Sequence, residues 1–112
     1  MKPISNPNAG LSIPAIEFAW EYGAYTIEVL RTIFGGRRVA IRETGSDFYD
    51  CNWCAGDSLE HAGILVGLAQ AIIDQNARPQ FCSKRKPYFL DDDFKAWMNT
   101  IKFTPYVLEK KG

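Results

Sequence analysis

The stretch SLEHAGILVGLAQAIID, from Ser58 to Asp74, is apolar around most of its circumference when wound as a helix. Such a helix has little surface to give to water and has to be covered on several sides. A chain of 112 residues has room for one hydrophobic core, so the cover comes from elsewhere in the same domain.

The segment before the helix reads as strands. In FGGRRVAIRETGSDFYDCNW, Gly35-Gly36 and Thr44-Gly45-Ser46 are turn signals between runs of strand-forming residues. A Gly-Gly turn needs a partner strand ending at Phe34, and AYTIEVLRTIF, rich in β-branched and aromatic residues, supplies one from Tyr25 to Phe34. A helix over Ile16 to Phe34 also has support: Glu17, Glu21, Glu28, Arg31 and Thr32 share a helical face, Pro14 suits a first turn and Gly35 an end. Strands are the better reading. Gly23 inside a helix costs about 1 kcal/mol relative to Ala, and Tyr, Thr, Ile and Val are middling helix formers.

If Gly35-Gly36 and Thr44 to Ser46 are the loops, Leu30 faces Ile41 and Ile41 faces Tyr49. One face then carries Leu30, Val39, Ile41, Tyr49, Cys51 and Trp53 as core. The other carries Arg31, Arg38, Arg42, Asp50 and Asn52, with Phe48 among them.

Asp57 is placed to cap the helix, with Glu60 three residues on, and the helix should stop around Gln75 to Arg78, before Pro79. RPQFCSKRKPYF reads as a loop. A shorter helix starts near Asp91 or Asp92, shows an apolar stripe of Phe94, Trp97, Met98 and Ile101, and ends by Pro105. Residues 1 to 14, with Pro3, Pro7, Gly10 and Pro14, read as a flexible lead-in. The expected architecture is a single α+β domain: an antiparallel β-meander of three to four strands packed on one long buried helix, with a short C-terminal amphipathic helix.

Charge limits the partners. Thirteen Lys and Arg balance thirteen Asp and Glu, so the electrostatic footprint of nucleic-acid binding is missing, and SKRK at Ser83 to Lys86 reads as solvated loop beside Asp91, Asp92 and Asp93. The run Ala62 to Ile73 is too short to span a bilayer, and MKPISNPNAGLSIP lacks a signal-peptide core. With three cysteines, an odd number, no paired secretory framework is visible, which points to a soluble cytoplasmic protein with reduced thiols.

Cys51-Asn52-Trp53-Cys54 has the spacing of zinc knuckles and dithiol centres. In a strand, however, Cys51 and Cys54 point to opposite faces, which makes Cys51 a small core residue and prevents the pair from chelating or bridging. His61 and Cys82 are the remaining candidate ligands. With no partnered nucleophile, His61 reads as a boundary residue, and no cofactor motif is seen.

Two constellations remain. Arg31, Arg38 and Arg42 could hold an anion, and the rings Trp20, Tyr22 and Tyr25, with Phe18, could line an apolar pocket or a subunit contact. With 13% aromatics, a homodimer contact or ligand pocket is expected to absorb ring surface. The functional expectation is a small, non-enzymatic cytosolic binding module that docks a protein or holds a small apolar or anionic ligand, working as a homodimer. The alternative is a metal- or thiol-dependent enzyme using Cys51, Cys54 and His61.

Overall fold

In the computed structural model, which describes residues 1–8, 15–33, 35–76 and 91–109, the chain runs β1 (Lys2–Pro3), β2 (Ile16–Tyr22), β3 (Tyr25–Arg31), β4 (Arg37–Glu43), β5 (Cys51–Gly56), α1 (Leu59–Asp74) and α2 (Asp92–Met98). The strands form one antiparallel sheet in chain order, with α1 packed on it. The α+β meander is as expected, but it has five strands instead of three or four.

The extra strands come from two local features. Gly23 takes a φ of +61°, and Tyr22 pairs with Tyr25 across a tight hairpin whose first central residue is that glycine. At the start of the chain, Lys2 and Pro3 pair with Glu21 and Trp20, a position at a sheet edge that tolerates proline. Residues 9–14, the rest of the lead-in, lie outside the described residues, as do Phe34, Cys82 and the SKRK segment.

The register of β3 differs from expectation. Arg31 pairs with Arg37, so the β3–β4 connection is longer than a Gly-Gly turn, and it closes through Thr32 N to Gly36 O at 2.8 Å. Ile27, not Leu30, pairs with Ile41, a slip of three residues. An odd slip exchanges the two faces of a strand. Ile27 and Val29 therefore enter the core, and Arg31 leaves the face that Arg38 and Arg42 share. Between β4 and β5 the slip is even: Ile41 pairs with Cys51 instead of Tyr49, which keeps Cys51 and Trp53 in the core and puts Tyr49 in the loop.

Helix α1 starts at Leu59 because Ser58, not Asp57, caps it, its Oγ accepting from His61 N at 3.1 Å. Asp57 instead offers its carbonyl to Arg37 Nη1. α1 packs on β3, β4 and β5. On the β5 side, Phe94 and Trp97 of α2 bring their rings to 5.9 and 6.1 Å from Trp53. On the β2 side, the segment 102–109 runs beside α1, with Tyr106 N donating to Gly63 O at 2.9 Å.

That contact is between two backbones. A Cβ on Gly67 would overlap the Thr104 carbonyl and sit 2.8 Å from Pro105 Cα, and one on Gly63 would overlap the Tyr106 carbonyl. Gly63 and Gly67 are spaced four apart, so they stack on one helix face and make a shallow channel for the C-terminal segment.

Candidate functional site

The segment 102–109 reaches β2 but does not close over it, and a cavity of about 540 Å³ opens between them. Its wall on the sheet is Phe18 and Trp20, whose rings lie parallel at 5.8 Å with an interplanar angle of 4°. Tyr106 stands edge-on to Trp20 at 5.3 Å, and Leu108 extends the same wall. The volume falls within the usual range for a small-molecule site, and a mostly apolar lining with few polar groups is the usual composition. Pro3, Ile4 and Pro7 also line it, so the N-terminal residues help enclose it.

Glu17 also lines the cavity, and it is anchored. Arg37, only 6% exposed, donates from Nε and Nη2 to the two Glu17 oxygens at 2.7 and 3.0 Å. That bidentate bond, followed by the charge of Glu17 and of Asp57, raises the Arg37 pKa against the opposing effect of burial. Arg31 lies 3.8 Å from the same carboxylate. A β-bulge between Ile16 and Phe18 frees Glu17 from the regular alternation, and Asn8 stabilises this stretch by accepting from Ala15 N and Ile16 N and donating to Ile16 O.

The ring residues therefore separate. Trp20 lines the cavity. Tyr22 is at the hairpin end of β2 and donates to Asp74 Oδ1 at 2.5 Å, which raises its pKa. Tyr25 packs against the core from the first position of β3.

The face of the sheet away from α1 carries a second polar group. Glu28, 2% exposed, pairs across the strands with Ala40, and Ala40 with Asn52, so Glu28 and Asn52 flank a small residue in one row. Arg42 Nη2 lies 3.5 Å from Glu28, and Tyr49 folds back from the β4–β5 loop to the same carboxylate. Glu28 Oε1 and Asn52 Oδ1 are buried without a hydrogen-bond partner among the described residues. Arg38 and Arg42 do share this face, but the Arg42 charge is directed at Glu28 and not at solvent.

Burial first, then the hydrogen bond to Glu28 and its charge, push the Tyr49 phenol well above its ordinary pKa, while Arg42 works in the opposite direction. Between the unfolded and folded pKa values the unfolded chain has lost a proton that the folded chain keeps, so stability falls as pH rises above about 10. An absorbance titration of the five tyrosines should show late-titrating absorbance that Tyr49→Phe reduces by one tyrosine, Tyr22 being raised as well. If that variant titrates like the parent, Tyr49 does not lie against Glu28.

Cys51 and Cys54 do not meet as a pair. Cys51 is in the core and Cys54 on the opposite face, as alternation requires. Cys51 is disulfide-bonded, and Cys54 lies outside any disulfide. The expectation of three reduced thiols is therefore corrected, and with it goes the argument from cysteine number to a reducing compartment. His61, half-buried at the start of α1, has its backbone N–H on the Ser58 cap. Among the described residues, no three His, Cys, Asp or Glu side chains group as a metal site, and no helix is long and apolar enough to cross a membrane.

The sequence reading missed Tyr106 and Leu108. A signal was present: in Phe103 to Glu109, apolar residues recur at short intervals beyond Pro105, opposite two helix glycines four apart. No family model, curated protein or solved structure matches this chain.

Proposed function

We propose that the protein is a non-enzymatic binding module that holds a small apolar ligand between β2 and the C-terminal segment. The observation that carries this is the cavity of about 540 Å³ walled by stacked Phe18 and Trp20, edge-on Tyr106 and Leu108. Docking of a protein has less support. The most exposed apolar side chains, Ile33, Phe48 and Val107, lie on the β3–β4 loop, the β4–β5 loop and the C-terminal segment. The two loops are at opposite ends of β4, so Ile33 and Phe48 do not form one patch, and scattered apolar side chains are ordinary on a protein surface. A homodimer remains part of the proposal as the expected sink for ring surface, and sedimentation equilibrium tests it.

The test of binding is calorimetric titration with octanol, together with the change in tryptophan fluorescence. Saturable binding at one site is expected, with Leu108→Trp, which fills the cavity, abolishing it at little cost in thermal stability. Equal binding by parent and Leu108→Trp would place the ligand elsewhere and remove the proposal.

A further inference from the structure

We infer that Cys51 is cross-linked to Cys82 within one chain, so that a structural disulfide ties β5 to the connection between α1 and α2. The chain has three cysteines, Cys51 is in a disulfide, and Cys54 is outside any. Cys54 is also on the wrong side, since alternation along β5 sends it to the face opposite Cys51. A second copy of the chain is no better a partner. Cys51 is 2% exposed among core side chains, so its sulfur does not reach a surface where another chain could dock. Cys82, which lies outside the described residues, is the one cysteine left.

The path of the chain agrees. Phe94 and Trp97 of α2 pack on Trp53, which shares the core face of β5 with Cys51, so the chain entering α2 is delivered to that face. Cys82 precedes Asp92 by about ten residues, which span up to about 33 Å when extended, so reach is no obstacle. The loop closed by the bond, about 30 residues, contains the whole of α1, and closing it removes conformational freedom from the unfolded chain. The bond forms by exchange with glutathione disulfide. The Cys51 and Cys82 thiols give up two protons and two electrons through a mixed disulfide, and the oxidant leaves as two glutathione thiols. Cys51 is then no attacking thiol, which removes the Cys51-x-x-Cys54 spacing from thiol-dependent catalysis.

The test uses the full chain refolded in a mixture of reduced and oxidised glutathione, then unfolded in guanidinium with iodoacetamide and no reductant. A single alkylated cysteine, Cys54, is expected, and all three after reduction. Chymotrypsin cuts after Trp53 and so separates Cys51 from Cys54; mass spectrometry of the digest should show one cross-linked peptide joining Cys51 to Cys82, lost on reduction. In Cys54→Ser the same peptide should persist. Cys82→Ala should melt about 12 °C below the oxidised parent and together with the reduced parent, the loss expected for a loop of this length. Three alkylated cysteines in the unreduced protein, a peptide joining Cys51 to Cys54, or a chain of doubled mass held through Cys51 would each overturn the assignment. The peptide map decides even if Cys82→Ala does not fold.

Discussion

Gly67→Ala should lower the thermal midpoint by about 8 °C and abolish ligand uptake. The sign is informative because two effects oppose each other. Ala in a helix interior is favoured over Gly by about 1 kcal/mol, so on propensity alone the substitution stabilises. Against this, the new methyl overlaps the Thr104 carbonyl and lies 2.8 Å from Pro105 Cα, and backbone atoms cannot turn aside as a side-chain tip can. Overpacking typically costs 1–3 kcal/mol, and lifting the segment also loses the Tyr106 N to Gly63 O bond, about 1 kcal/mol net.

The net expected loss is about 2 kcal/mol, and in a domain of this size each kcal/mol moves the midpoint by about 4 °C. Because Tyr106 and Leu108 are on the displaced segment, the cavity loses one wall at the same time. The difference between Gln70→Ala and Gln70→Gly on the same helix isolates the propensity contribution. If Gly67→Ala raises the midpoint, the C-terminal segment does not lie on α1 as described.

The second large effect concerns Glu28. Arg42→Ala should destabilise by about 2–3 kcal/mol, below the 3–5 kcal/mol of a fully buried pair because the Arg42 side chain is 25% exposed. The cost arises from what remains: a carboxylate, 2% exposed on a central strand, deprived of its cation. Glu28→Gln should be neutral or stabilising by about 1 kcal/mol, since it removes the charge and brings an amide donor to the row in which Asn52 Oδ1 lacks a partner. In the Glu28→Gln background Arg42→Ala should cost little. Denaturant unfolding of the four proteins measures the coupling; additivity within about 0.5 kcal/mol would show that the two side chains do not interact.

Much of the architecture was legible because it follows from periodicity. The buried helix, the strand grammar before it, the acidic start of α2 and the opposed faces of Cys51 and Cys54 depend on which residues are apolar and on the spacing of side chains along one element. Gly23 was legible as an interruption, and only pairing shows it to be a hairpin. The disulfide at Cys51 had no local signal, since a cysteine's partner is a matter of distance through space.

The candidate site was only partly legible. Trp20 was singled out from its own segment, but the cavity exists because a distant piece of chain, Tyr106 to Glu109, stops short of β2. Arg31, Arg38 and Arg42 looked like one cationic face under a Gly-Gly loop. The longer loop observed slips β3 by an odd number of residues, which separates Arg31 from the others and sets Glu28 and Arg42 on one face. What the sequence alone determined is each element's type and its apolar side, properties settled within a few neighbouring residues. Tertiary structure decided the register, the ion pairs and the pocket, because these depend on loop closure and on contacts between residues far apart in the chain.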